Sequence, residues 1–325
     1  MAKILLTGGA GYIGSHVNLM LANNRHQTVV YDNLSTGFEE LVVRGKLVKG
    51  DILDIEKLEN VIKRENIDLV VHLAAKSLVG ESFEKASTYW RNNVCGTRNL
   101  LDSMANNNVK NIVFSSTAAV YGEPEEIPIK ENNLKMPINP YGNTKIAIEW
   151  MIEDEAKARG LKYGIFRYFN AAGADTSGEV GLMVERDPHL IPVCLDCAIG
   201  VRDEVYIFGR DYPTGDGTCV RDYIHVEDIA DAHLKAVNYL LGGENSFRLN
   251  LGSGSGISVN NIIEQVETTI GRKLKVIDSE KREGDPAVLV ADPAKAAKIL
   301  GWKSRNSDIE TIVSTAWKWH QKAFT

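Results

Sequence analysis

An excess of basic residues is what this 325-residue chain most plainly lacks: 37 lysines and arginines stand against 43 aspartates and glutamates, a formal net charge of −6. Nucleic acid would find no electrostatic footprint here, and a weakly acidic surface mainly serves solubility. Long hydrophobic runs are missing too. The apolar stretch over 1–14 is broken by Gly8, Gly9, Gly11 and Gly14. It has neither the length of a membrane span nor the cleavage pattern of a signal peptide, so a cytoplasmic protein with no membrane partner is expected. Cysteine is sparse. Of the four, Cys194 and Cys197 make a C-x-x-C, but no second ligand pair accompanies it, and it falls in an apolar helical pattern over 190–199. Buried free thiols are expected there, and no metal. Internal repeats and low-complexity tracts are absent as well.

What the chain does have, at 44% hydrophobic and 25% charged residues, is the composition of a globular protein, with length for one large domain and a smaller partner. Over the first 170 residues short β-branched runs alternate with amphipathic stretches. Strands are predicted at 4–7, 28–31, 47–50, 69–73, 111–115 and 163–168, with helices such as 15–23 and 55–65 between them. Several strands are apolar on both faces, the mark of a parallel sheet covered by helices on each side. The fold class expected is therefore α/β, a doubly wound parallel sheet followed by a smaller, mixed α/β C-terminal domain. Residues 1–170, with about 222–242 returning to them, would form the first unit; 171–221 and 243–325 would form the second. The aperiodic stretch 171–188 reads as a long loop of the functional or mobile kind. Ser307-x-x-Glu310 reads as a capping box opening a last amphipathic helix.

The first strand runs into Gly8-x-x-Gly11-x-x-Gly14 with a helix just beyond. Glycines there permit a tight turn and close backbone approach to a pyrophosphate, which meets the free N–H groups of the helix N-terminus. Asp32 follows 18 residues after Gly14, at the end of the second strand. A carboxylate there accepts bonds from ribose hydroxyls and repels the extra phosphate of NADP, which favours NAD. Asp51-Ile52 closes the third strand, where an adenine ring would lie.

Tyr141-x-x-x-Lys145 places a phenol and an ammonium on one helix face. The cation would favour the phenolate and bring its pKa down from about 10 toward working pH, and a positively charged nicotinamide would add to that. Such a phenolate is a general base for a sugar hydroxyl that must lose its proton during hydride transfer. Ser115-Ser116-Thr117 ends the preceding strand, at the carboxyl edge where such sheets bind ligands.

Glycine motif, acidic strand end, hydroxyl cluster and Tyr–Lys pair, in that order, resemble the extended short-chain dehydrogenase/reductase family with its Rossmann domain. The segments 7–16, 113–122, 140–145, 167–170, 207–226 and 282–285 narrow the resemblance to the UDP-glucose 4-epimerase family, across essentially the whole chain. The resemblance implies NAD as cofactor, a UDP-sugar as substrate, isomerase chemistry and a homodimer. It implies a catalytic triad of Thr117, Tyr141 and Lys145, with threonine where family members often carry serine. Tyr12, Ile13, Asp32, Asn33, Asp51, Ile52, Lys76, Asn92 and Phe169 would line the NAD site with the glycines; the family's lysine is displaced by one position at Lys76-Ser77. Arg221 and Arg282 would meet the diphosphate with Asn170, while Tyr206 and Phe208 flank uracil, Asp285 approaches the ribose and His189 lies beside the substrate. Leu289 falls where the family limits bulk at the sugar 2-substituent. A 4,6-dehydratase would want an acidic pair where this chain has Ala118 and Ala119. Epimerases or decarboxylases of other UDP-sugars, a non-catalytic NAD-binding regulator and an NADPH-dependent reductase are the alternatives.

Overall fold

The computed structural model describes residues 1–184, 186–282 and 285–324. Seven parallel strands form the main sheet: β1 (Lys3–Thr7), β2 (Gln27–Asp32), β3 (Lys46–Lys49), β4 (Leu69–His72), β5 (Asn111–Thr117), β6 (Lys162–Tyr168) and β10 (Phe247–Leu251), in the order β10-β6-β5-β4-β1-β2-β3. Alternate residues of each inner strand feed two cores, as a two-fold side-chain period requires. Ile4, Leu6, Leu69 and Val71 enter one; Leu5, Val70, Ile112 and Phe114 enter the other. The first face is covered by α1 (Tyr12–Asn23) and α8 (Val226–Leu241), which pack on each other. The second carries α2 (Ile55–Glu65), α5 (Gly96–Asn106) and α6 (Pro140–Arg159). Two short helices, α3 (Val79–Glu84) and α4 (Ala86–Tyr89), lead into α5 through a π-type turn over Trp90–Cys95 and lie against α6. The strand order reverses between β1 and β4, which opens a crevice at their carboxyl ends.

A smaller, mixed α/β layer stands over those ends. β7 (Asn170–Ala172), β9 (Val220–His225), β11 (Gly256–Ser258) and β13 (Val288–Leu289) make one sheet, and β8 (Val205–Phe208) with β12 (Val276–Ser279) a second. Their core is closed by α7 (Leu190–Ile199), α9 (Val259–Ile270) and α11 (Ile309–Phe324), while α10 (Ala294–Leu300) lies against β10 and α8. Cys194 is fully buried in this core, and burial pushes its thiol pKa up.

Two sequence expectations change. Phe247–Leu251, expected in the second unit, pairs in parallel with β6 and so forms the outer strand of the main sheet. The last helix is not opened by Ser307. Asp308 Oδ1 accepts from Thr311 N at 2.8 Å, whereas Ser307 Oγ donates to buried Asp228 at 2.6 Å. A cap must lie next to the first helical residue, and Ser307 is one position too early.

Candidate active site

The end of β1 builds a cradle. Gly8 has φ +76°, and a Cβ there would sit 2.5 Å from Ala74 N; at Gly14 it would sit 2.1 Å from Gly8 O. Only hydrogen fits at either position. Gly11 precedes α1 without any side-chain cap, so the first-turn N–H groups face outward, free to meet an anion. Asp32 is fixed beside them, accepting from Ala10 N at 3.0 Å and Leu34 N at 2.9 Å. Asn33 Nδ2 donates to Asp51 Oδ2 at 2.9 Å, and Asp51 Oδ1 accepts from Leu53 N at 2.8 Å. Ile52 turns into the core beneath, Ile13 packs on the opposite core, and Tyr12 donates to Gly173 O at 2.6 Å. Glycine cradle, unpaired helix end and a carboxylate held by backbone amides fit a dinucleotide.

Lys76 and Asn92 meet through a residue the sequence reading passed over. Asn93, fully buried in the π-type turn, accepts from Lys76 N at 2.8 Å and Asn92 Nδ2 at 3.0 Å. It donates to Lys76 O and to Thr144 Oγ1, both at 3.0 Å. Lys76 is thus clamped through its backbone to Thr144, the residue before Lys145.

Tyr141 and Lys145 rise from the first turns of α6, which Asn139 caps by accepting from Gly142 N at 2.8 Å. The Lys145 ammonium donates to Ser115 O at 2.7 Å and lies 4.8 Å from the Phe114 ring centroid and 5.9 Å from that of Tyr141. Thr117 ends β5, its hydroxyl accepting from Ala119 N at 3.1 Å. The expected electrostatics are reversed in the chain by itself. Burial pushes the Tyr141 phenol up to about 12, with the Thr117 hydroxyl opposing. Burial likewise pushes Lys145 down to about 7, with Glu149 opposing. Desolvation acts against both charged forms, and it exceeds what a cation bonded to a carbonyl rather than to the phenol contributes. Phe169, like Ala118 and Leu289, packs against the small buried cluster of Val120, Tyr121, Ile129 and Ile146.

Arg221, Arg282, Asp285 and Phe208 come together in the upper layer. Arg221 pairs with Asp285, and the Arg282 guanidinium stacks 3.8 Å over the Phe208 ring centroid. Glu283 and Gly284 of the 282–285 motif lie outside the described residues. Tyr206 shares a strand face with Phe208, their ring centroids 6.2 Å apart, and bonds Glu204. Asn170 opens β7 in register with Tyr223. His189 precedes α7 and pairs with Asp187 at 2.6 Å; that bond holds its imidazole pKa above the ordinary range. Leu289 lies opposite Arg221 in register.

Also missed was a buried polar network behind β5, joining Ser116, Glu149, Arg167, Tyr121 and Asn250. Its signal was available: Glu149 lies four residues beyond Lys145, and Arg167 interrupts an apolar inner strand.

Residues 4–252 match the model of the NAD dependent epimerase/dehydratase family. A UDP-glucose 4-epimerase of Rhizobium meliloti is 47% identical over 320 residues, covering 98% of this chain and 97% of the relative. The solved UDP-glucose 4-epimerase of Brucella ovis in complex with NAD superposes with TM-score 0.96 at 45% identity, covering 98% of both chains. The UDP-Glc/GlcNAc 4-epimerase of Campylobacter jejuni superposes with TM-score 0.87 at 38% identity, covering 99% of this chain and all of that one.

Proposed function

This chain belongs to the NAD dependent epimerase/dehydratase family, and we propose that it interconverts UDP-glucose and UDP-galactose through transient oxidation at C4. One observation carries the catalytic assignment: Tyr141 and Lys145 on α6 stand in register with Ser115 and Thr117 at the end of β5, above a cradle fitted to a dinucleotide. NAD, when bound, supplies the acceptor for the C4 hydride and returns it.

The chain's own residues do the rest. Tyr141 as phenolate takes the proton of the 4-hydroxyl and later gives it back. Thr117 bonds the sugar oxygen through its hydroxyl. Lys145 supports the phenolate by its charge. Arg221 and Arg282 bind the diphosphate with Asn170, Tyr206 and Phe208 flank the uracil, Asp285 approaches the ribose and His189 lies beside the substrate. Held by this handle, the 4-keto sugar turns over in the pocket and is reduced on its other face. The cycle is redox-neutral. Ala118 and Ala119 leave no acid–base pair for eliminating water. Leu289, intermediate in volume, makes acceptance of an N-acetylated sugar a matter for assay.

Residues 1–170 and 222–242, apart from the end of strand β9 (Val220–His225), which belongs to the small sheet, serve the cofactor, and 171–221 with 243–325, apart from strand β10, serve the sugar nucleotide. Leu78, Val79, Phe83 and Trp90 are exposed apolar residues around α3 and the π-type turn, with Trp150 exposed on α6; they are the face through which two copies would pair. No helix of the described residues is long and apolar enough to cross a membrane, and a cytoplasmic location fits the substrate.

The test is to incubate the purified protein with UDP-galactose and follow the anomeric protons by NMR. Convergence on a UDP-glucose/UDP-galactose mixture supports the assignment. No change even with NAD supplied overturns it and directs the assay to UDP-N-acetylhexosamines and UDP-uronates.

A further inference from the structure

Behind the catalytic strand lies a buried ion pair that the mechanism above does not use. Glu149 and Arg167 are each about 1% exposed. Arg167 grips the carboxylate with two prongs, Nε to Oε1 at 2.9 Å and Nη2 to Oε2 at 2.5 Å. Ser116 Oγ donates to the same Oε1 at 2.5 Å. On its far side Arg167 donates to Tyr121 at 2.8 Å, and Tyr121 to Asn250 at 2.6 Å. Every member is satisfied, so Glu149 is held in one place.

That place is one turn beyond Lys145. Tyr141, Lys145 and Glu149 recur at four-residue intervals and share one side of α6. The opposing strand answers in step. Ser115 O receives the Lys145 ammonium, Ser116 Oγ binds Glu149, and Thr117 bears on the Tyr141 phenol. Replacing a buried ion pair by apolar residues of similar volume is often neutral or stabilising, so such a pair is weak evidence for a purely structural purpose. Lys145, meanwhile, is buried with a neutral carbonyl and a phenyl ring beside it. The titratable groups around it are His72 on β4, Tyr141 and Glu149 on α6, and Tyr168 on β6. Glu149 is the anion among them. Around Glu149 itself stand Arg167 on β6 and Lys135 in the segment before α6, with Glu153 one turn on along α6 and Arg248 on β10.

We propose that Glu149 is a positioning residue for the Tyr141–Lys145 pair: its carboxylate, pinned by Arg167 and Ser116, keeps the buried Lys145 ammonium charged and docked on Ser115. This rests on Tyr141 and Lys145 being the base pair of the epimerase. Burial works against that ammonium and Glu149 supports it, so loss of the carboxylate removes the support while leaving the sugar and cofactor contacts in place.

The experiment measures kcat and KM against pH for the full-length, NAD-supplied enzyme and three variants: Glu149→Gln, Glu149→Leu with Arg167→Met, and Tyr141→Phe. Glu149→Gln leaves Arg167 unpaired and is the variant at risk of misfolding; the double variant removes both charges and keeps the core apolar. The expected result, in whichever of the two Glu149 variants folds, is an alkaline limb of kcat displaced to lower pH by about one unit or more. That is a roughly tenfold loss of kcat at fixed alkaline pH, recovering toward pH 6, with KM little changed. A double variant that folds and keeps the wild-type profile overturns the proposal, because the pair is then structural only. Substantial turnover in Tyr141→Phe overturns the base assignment itself. An inactive Tyr141→Phe beside an unshifted double variant removes only the role of Glu149.

Discussion

Two alanine substitutions three residues apart in the glycine cradle have very unequal expected effects on the fold. At Gly14 the new Cβ would lie 2.1 Å from Gly8 O and 2.7 Å from Gly9 Cα, where ordinary contact begins at 3.4 Å. Backbone surrounds the position, so the turn or α1 must move by about 1 Å. Overpacking of this kind costs typically 1–3 kcal/mol. A displacement of about 1 Å in a positioning element can also lower turnover by about 10²-fold. At Gly11 the nearest atom to the new Cβ would be Gly8 O at 3.5 Å, and φ is −81°, open to any residue. The cost to the fold there is about 1 kcal/mol or less, the difference between glycine and alanine as an N-cap. The methyl would still project where a pyrophosphate must approach. Denaturant unfolding should therefore find Gly14→Ala clearly destabilised and Gly11→Ala close to the parent, while nucleotide released from the purified proteins by heat should be depleted in both. A Gly14→Ala protein as stable as the parent would refute the steric argument. Full retention of nucleotide by Gly11→Ala would refute the placement of the pyrophosphate.

Tyr141→Phe should fold as the parent does and keep no more than a few per cent of its turnover; higher activity means another base. Arg221→Ala should raise KM for the UDP-sugar about tenfold or more with a smaller change in kcat, measured by steady-state kinetics, because it removes a cation from the diphosphate and leaves Asp285 unpaired. Acid should destabilise the protein through His72. Its ring accepts from Thr7 and bonds Thr97 in a fully buried chain, and burial pushes its pKa down to about 3. The native state then binds fewer protons than the unfolded one, so stability is fully present above about pH 6.5 and falls as pH drops toward 3. At pH 5 this one group accounts for roughly 2 kcal/mol, and His72→Gln should lower the proton uptake on unfolding by about one.

The cofactor half of the fold was legible because its code is local. A strand buried on both faces is a short apolar run, and a glycine turn or an acid at its carboxyl end marks the ligand edge. Sheet membership is not local. The run Phe247–Leu251 carries nothing that distinguishes an outer strand of the large sheet from a strand of the small one; its partner lies more than 80 residues away on β6. The capping signal at Ser307 failed for a related reason. Asp308, one residue on, competes for the same helix end, and burial against Asp228 claims the serine. Within the site, pattern reasoning found the groups that would touch ligands. It passed over Asn93, Glu149 and Arg167, which resemble ordinary polar residues until the fold removes their water.

The same removal of water decides how the base works. In the chain by itself the phenol of Tyr141 is pushed up to about 12, four units above pH 8. At about 1.36 kcal/mol per unit, some 5 kcal/mol must come from elsewhere before a phenolate is common at that pH. Lys145 supplies part, but its own charge is undermined by burial, down to about 7, and it bonds a carbonyl instead of the phenol. Positive charge entering with the cofactor would supply the remainder, since burial acts against the charged forms of the neighbouring His72 and Tyr168. On this reasoning proton abstraction would be coupled to cofactor binding, with Tyr141 a neutral phenol until the cofactor's charge arrives. An ultraviolet difference titration of parent against Tyr141→Phe tests this. The phenol should resist ionisation to above pH 10 in protein stripped of nucleotide and ionise at least two units lower once NAD is restored. Equal titration in the two states would mean that the chain alone prepares its base, and that the burial argument is wrong.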